Sequence, residues 1–516
     1  MPKRSTDTLF QLIKSLVKSE KRNFKLYVKR NTDSEDLKVI QLFDALDKMN
    51  EYDEHSLLKK TKNLKKQQLS NTKAQLYKQI LSSLRVIKDE ENIDIRLHEQ
   101  MDHARILYNK GLYLQSLKML DKLKETAIEY QQLTFLQQAI FFEKKIESLF
   151  ITRSMQGRAE QLTAESDKVN EQLTMVNQLS NLSLQLYSWY IKNGHARNEH
   201  DIQELRTYFE THLPIAVQQS KGFYEKLYLY QAYVWFAFIQ QDFLKYYRYS
   251  QKWVDVFAEY PGLIKVETAS YIKGMHNLMN AHFSLLNKEK LAQSIKQFEQ
   301  FTKQKYLQEN ENNRILAYQY LYTSRINLYF LQGNFTKGLR LVPFLEEMLK
   351  EYGLYLDTHR VLVFYYKIAC LYFGSGNNEK AIDYLNRIIN QKGDLRTDLQ
   401  CYSRLLHLIA HYELGNFDLL EYLIKSVYRY MSKMENLSKV EEEMFSFLRK
   451  SFHVGAHALK PEFEMLLMKL KKYEGNPLES RAFVYLDVIS WLESKISGVH
   501  VQDVIKSKYV KGIGVY

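Results

Sequence analysis

Residues 368–389 read IACLYFGSGNNEKAIDYLNRII. Apolar residues recur at three- and four-residue steps on either side of a Gly-Ser-Gly-Asn break. That is the pattern of two amphipathic helices joined by a tight turn. Ala369 and Ala381 leave room for the helices to approach closely, and Tyr372 and Leu385 fill it. Gly376 suits the turn because the end of a helix often needs a left-handed residue, which glycine adopts without a Cβ clash.

The same punctuation recurs outward from this unit. Turn signals stand at Asn109-Lys110-Gly111, Gln156-Gly157, Asn193-Gly194, Gln240-Gln241, Leu286-Asn287, Gln332-Gly333-Asn334, Gly374 to Asn377 and Leu414-Gly415-Asn416, at spacings of 46, 37, 47, 46, 46, 43 and 39 residues. Each interval holds two amphipathic helices and a connection. One such hairpin cannot bury its apolar face alone, so stacked hairpins forming a continuous core are expected. Helical spacing also marks Gln67 to Ile87, where Leu69, Leu76, Ile80, Leu84 and Ile87 share a face. Strand-type alternation is brief and never bounded by hairpin signals. The expected fold class is all-α.

Two further stretches share the layout: RINLYFLQGNFTKGLRLVPFL at 325–345 and HLIAHYELGNFDLLEYLIKSV at 407–427. Together the three resemble the tetratricopeptide repeat, with its small and aromatic residues on the first helix, Gly at the turn and a small residue on the second. Ala369, Tyr372, Gly376, Ala381, Leu385 and Ile388 occupy those positions. In the other two units Ile326 and Leu408 replace the first small residue; Gly338 keeps the second and Leu420 does not. A weaker copy runs through Ala104, Leu107, Gly111, Ser116 and Leu120. The match is specific for residues 320–430 and covers roughly 95–430 in architecture, with a period longer than the family's.

The resemblance implies a right-handed superhelical stack of helical hairpins whose first helices line a concave surface. Carried over, the groove would expose Tyr228, Gln231, Trp235 and Phe238, then Asn277, then Tyr320, Thr323, Asn327 and Phe330, then Tyr366 and Phe373, then Tyr402 and Tyr412. Tyr and Trp give large contact area with few rotors and suit recognition. The other reading of these rings is core filler between long helices.

Residues 1–90 read as four or five shorter helices forming a separate basic module, residues 91–435 as the hairpin array, 436–498 as capping helices and 499–516 as a flexible tail. Pro214 and Pro261 fall between hairpins, and Pro343 either kinks its helix or marks a late start. Asn476-Pro477-Leu478-Glu479 has the layout of a cap and capping box, opening a helix from Pro477 to about Ser497.

Charge is uneven. Residues 1–88 carry 20 Lys or Arg against 10 Asp or Glu, a net +10, while the other 428 residues carry 53 against 50. No acidic residue lies between Glu54 and Asp89, where Lys59, Lys60, Lys62, Lys65, Lys66, Lys73, Lys78, Arg85 and Lys88 occur. Such a field attracts polyanions; the alternative is a solvated Lys-rich face. In plan this resembles bacterial regulators that join a DNA-binding head to tetratricopeptide repeats, but residues 1–88 show no helix-turn-helix with a short Gly-containing turn. Tyr77 is the one aromatic between His55 and Lys88, so stacking platforms for bases are scarce.

Chemistry is little indicated. The chain has no G-x-x-x-x-G-K-S/T loop, no G-x-S-x-G elbow and no C-x-x-C. His407 with His411, and His453 with His457, share helix faces, but no third or fourth zinc ligand is marked. Cys370 and Cys401 read as small buried hydrophobes of a reducing cytoplasm. The longest apolar stretches, Leu227 to Ile239 and Val361 to Phe373, are broken by Gln231 and Lys367 and are too short to span a membrane. The opening MPKRSTDTLFQLIKSL lacks an unbroken apolar core and a cleavage site, arguing against secretion. The expectation is a cytoplasmic, non-enzymatic scaffold for a protein or peptide partner, without cofactor or metal. The alternative is a nucleic-acid-associated regulator acting through residues 1–88.

Overall fold

Short polar residues set many helix starts. Asp7, Asp53, Asn92, Asn198, Asp242, Asn287, Asn310, Asp357, Asn377 and Asp487 each accept a backbone N–H from the helix that follows. These bonds satisfy donors that have no partner inside the helix. The computed structural model describes residues 7–30, 36–61, 64, 66–87, 92–149, 157–219, 221–353, 356–391, 397–433, 438–451, 459–474, 476, 478–479 and 487–511. Among them every regular element is helical and no strand occurs. No described helix is long and apolar enough to cross a membrane. Two compact units divide at 169/170.

In the first unit, α1 (Thr8–Ser15), α2 (Lys18–Arg30), α3 (Asp36–Asp47), α4 (Glu54–Lys60) and α5 (Lys66–Ile87) share one apolar core. Ile13, Phe24, Val28, Phe43, Leu57, Leu76 and Ile80 are its buried residues at helical spacing. Next come α6 (Ile93–Asn109), α7 (Tyr113–Glu129) and α8 (Leu133–Glu147), each packed on its neighbour. α9 (Arg158–Asn193) contains the division between the units. Within the first unit Glu143, 1% exposed, accepts from Lys124 at 2.6 Å and from Arg158 at 2.9 Å. Those two cations hold its carboxyl below the usual range against the opposing effect of burial.

The second unit is built from helix pairs: α10 (Glu199–His212), α11 (Phe223–Ile239) with α12 (Phe243–Glu259), α13 (Thr268–Ser284) with α14 (Lys288–Thr302), and α15 (Glu311–Leu331) with α16 (Val342–Glu351). Then follow α17 (Thr358–Gly374) with α18 (Asn378–Ile389), and α19 (Thr397–Glu413) with α20 (Phe417–Lys433). α12 packs against α11 and α13, α14 against α13 and α15, and α18 against α17 and α19. α21 (Lys439–Ser451), α22 (Leu459–Lys471), α23 (Val488–Ser497) and α24 (Val501–Lys511) complete the unit. One hydrophobic cluster runs from Ile326 to Ile505 and includes fully buried Trp491.

The turns follow the sequence signals with one addition. Gly111, Gly157, Gly194, Gly333, Gly376 and Gly415 have positive φ; where no glycine stands, Gln241 (59°) and Leu286 (56°) take the left-handed conformation. Gln131 (55°) does the same between α7 and α8, a turn with no Gly or Asn to announce it. Pro343 marks a late start: the short helix Phe335–Gly338 and a tighter turn precede α16, which has the proline in its first turn. Close approach explains two other glycines. A Cβ on Gly338 would lie 2.6 Å from Leu371, and one on Gly374 would lie 2.3 Å from the Phe335 ring.

Residues 501–511, expected in a loose tail, form α24 instead. That helix covers the turn at Gly333, where a Cβ would lie 2.4 Å from the Gln502 carbonyl oxygen. Lys288 adds a bond to the Tyr509 carbonyl at 2.8 Å. α24 has a weak apolar pattern of its own and is held by residues distant in sequence, so nothing local marks it. Of the helix expected from Pro477 to about Ser497, residues 477 and 480–486 lie outside the described residues, as do His453, His457, Lys62, Lys65 and Lys88; its last part is the helix Val488–Ser497 behind the Asp487 cap.

Candidate functional site: the face of the first helices

α11, α13, α15 and α17 stand side by side and are joined by polar and aromatic contacts. Tyr224 donates to Glu267 at 2.8 Å, and Gln231 donates to Ser270 at 3.4 Å, linking α11 to the start of α13. His276 stacks on Tyr320 with ring centres 3.9 Å apart, linking α13 to α15. Arg360 donates to Gln319 at 3.1 Å and Lys367 to Asn327 at 2.5 Å, linking α15 to α17. The end of α9 joins the row through Tyr190, stacked on Trp235 at 5.6 Å, and Tyr187, tilted against it at 5.0 Å. A Cβ on Gly194 would lie 3.5 Å from the Asp398 side chain at the start of α19.

The residues expected to line a groove divide into two groups. Tyr228, Gln231, Trp235, Phe238, Tyr320 and Phe330 are half-buried and keep part of their surface. Asn277, Thr323, Asn327, Tyr366, Phe373, Tyr402 and Tyr412 are buried instead. Tyr366, Phe373, Tyr402 and Tyr412 belong to the large hydrophobic cluster, so the core-filler reading holds for them. Asn277 accepts from Tyr246 at 2.9 Å, and Thr323 donates to the Gln319 carbonyl at 2.8 Å, so both serve the packing of their own helices. Position along a first helix marked these residues, but the neighbouring second helices decide how deep each lies.

Residues not anticipated complete the face. Lys367 lies over Phe330 at 5.6 Å and Phe283 at 5.9 Å, and burial lowers its ammonium pKa to about 8. His276 is lowered to about 3, first by burial and then by the charges of Lys367 and Arg360. Lys273 is exposed, yet the surrounding protein and then Arg360 lower its pKa as well. The interruption of the apolar run Val361 to Phe373 by Lys367 was the sequence signal for this group; nothing local tied it to Lys273 or His276.

Elsewhere the chemistry is structural. The His407 and His411 ring nitrogens are 3.3 Å apart, and burial lowers His407 to about 4. Among the described residues no group of three metal-ligating side chains occurs. Neither Cys370 nor Cys401 is in a disulfide, and burial pushes the Cys370 thiol up to about 12. In the basic module Lys59, Lys60, Lys66, Lys78 and Arg85 are exposed. Lys73 departs from them: it is half-buried and donates to Asp7 at 2.7 Å and to Tyr52. Arg85 pairs with Asp102 at 3.3 Å. No family model and no curated protein sequence matches this chain.

Proposed function

We infer that the protein is a non-enzymatic scaffold, built as a tetratricopeptide-like superhelical stack, that binds a protein or peptide through its row of first helices. The carrying observation is that row. Tyr228, Trp235, Phe238, Tyr320 and Phe330 each keep surface on one side while packing holds the other. Rings already fixed by neighbours lose little ordering entropy when a partner arrives. A strongly bent stack is supported by the approach of Gly194 to Asp398. Six first helices laid flat, from α9 to α19, would separate their ends by about 50 Å at about 10 Å per step. A contact between them is what curvature would produce. The two cysteines outside any disulfide fit a reducing cytoplasm.

Site-specific photocrosslinking tests this reading. A benzophenone amino acid at Trp235 or at Tyr320 should capture the same partner from extract of the source cells. The same group at Tyr422, 68% exposed on α20, should not. Adducts at Tyr422 alone would overturn the assignment of the face.

The five exposed cations of α4 and α5 favour a second reading, nucleic-acid association through the first unit. If all five contact phosphates, affinity for nonspecific duplex DNA should fall a few hundredfold between 50 and 200 mM salt, given a log–log slope of about −0.9 per contact. A shift assay without retention at 50 mM salt removes it.

A further inference from the structure

In the first unit α6 and α8 both pack on α7, and side chains of α6 and α8 line an open recess of about 500 Å³. Buried Met101 and half-buried Tyr108 and Phe142 are its least exposed members. Tyr108 meets Phe142 and Tyr113 edge-on, with ring centres 5.4 Å apart in both pairs, so the inner rings are held from two sides. Phe141 follows Phe142 after none but itself in sequence order on α8, turned from it by about 100°. It also lines the recess and is 58% exposed. A lone exposed ring is ordinary, but this one forms the wall of a cavity whose other apolar side is aromatic.

The polar lining is cationic and amide. Arg105 and Asn109 come from α6, Gln138 and Lys145 from α8, and all four are exposed. Among the described residues no carboxylate lines the recess, and none pairs with Lys145, whose ammonium lies 4.9 Å from the Tyr108 ring centre. Arg105 has Asp102 at 3.9 Å, a carboxylate that Arg85 approaches more closely, at 3.3 Å. The side-chain amides of Asn109 and Gln138 make no hydrogen bond among the described residues. Fixed rings beside unshared cations and amides match an aromatic group that brings carboxylates with it.

We propose that this recess docks an aromatic side chain of a protein partner, from a segment in which acidic residues flank that ring. A free small molecule fits less well: sites for such ligands bury about 70–90% of them, and a recess walled by a ring as exposed as Phe141 does not enclose its occupant. Apolar surface also extends beyond the recess, at exposed Leu112 and Leu149 just past the ends of α6 and α8. The proposal concerns the first unit alone and does not rest on the row of α11 to α17.

Calorimetric titration of the full-length protein at low salt tests it with three acetylated pentapeptides. Asp-Glu-Trp-Glu-Asp should bind about tenfold more tightly than Asp-Glu-Ala-Glu-Asp, which lacks the ring, and than Asn-Gln-Trp-Gln-Asn, which lacks the charges. Phe141→Ala, at a position too exposed for the fold to depend on it, should remove most of that affinity. Arg105→Gln with Lys145→Gln should abolish the preference for the acidic peptide over its amide counterpart and keep the preference for Trp over Ala. A control, Lys59→Glu with Lys78→Glu, should bind as the wild type does and so separates the recess from the basic module. Equal affinity for the three peptides, or no measurable binding of any, overturns the proposal. So does binding that survives Phe141→Ala. Indole-3-acetate bound as tightly as the acidic Trp peptide would overturn it in favour of a free aromatic acid. A dimer in sedimentation that Phe141→Ala dissociates would overturn it in favour of a second copy of this chain.

Discussion

Gln131, Gln241 and Leu286 hold left-handed backbone at helix-to-helix turns where glycine sits in the other hairpins. A side chain in that conformation carries about 1–2 kcal/mol of local strain, partly offset because it has less freedom to lose than glycine. Gln131→Gly should therefore raise stability by about 0.5–1 kcal/mol, read as a higher urea midpoint. Two histidines, half-buried His276 and buried His407, give a second residue-scale expectation. His276 and His407 have folded pKa values of about 3 and about 4, below the ordinary 6.5. The unfolded chain binds the proton more readily, so stability is complete above about pH 6.5 and is lost as pH falls toward those values. The slope approaches about 1.4 kcal/mol per pH unit for each ring. Tm should drop between pH 7 and pH 5, and His276→Gln should flatten the drop; a pH-independent Tm would contradict the lowering of both rings.

Helix pairing depends on what lies against each turn as much as on the turn itself. At Gly376 a Cβ would meet nothing within 4 Å, so that turn needs glycine for its backbone alone. Gly333 needs it twice, because α24 rests on it. Gly333→Ala should push Gln502 and Lys506 away, costing about 1–3 kcal/mol by overpacking in addition to backbone strain. Hydrogen exchange should show lost protection across 501–511 with α15 still protected; unchanged protection of α24 would mean that the turn relaxes instead. The hairpin turns were legible from short-range chemistry, whereas the docking of α24 was not. Its contacts, Lys288 with Tyr509 and Thr336 with Gln502, join residues more than a hundred positions apart.

Across the second unit the apolar cluster continues from α15 through α24, and a large buried ring sits near its C-terminal end. Trp491 is 1% exposed and donates its indole N–H to Glu413 at 2.6 Å, beside Lys495, which bonds the same carboxylate. Trp491→Ala should cost about 3–5 kcal/mol by leaving a cavity, and it strips a partner from Glu413. The expected outcome is lower Tm with helicity retained and increased binding of a hydrophobic dye at the C-terminal end. Trp491→Phe should restore most of the stability, since it keeps the ring and forfeits one hydrogen bond.

Helix class, the hairpin rhythm and the positions of most turns follow from the sequence by itself, because amphipathic period, Asp or Asn caps and left-handed glycines act within a few residues of one another. Tertiary structure alone decided which aromatic rings keep surface. Tyr320 and Tyr402 both stand on first helices, yet one is half-buried against His276 and the other lies in the core. Tertiary structure alone also set the Lys367 ammonium against Asn327, Phe283 and Phe330. Burial and charge proximity are set by what distant elements place opposite a side chain, and that information does not reside in its neighbours along the chain.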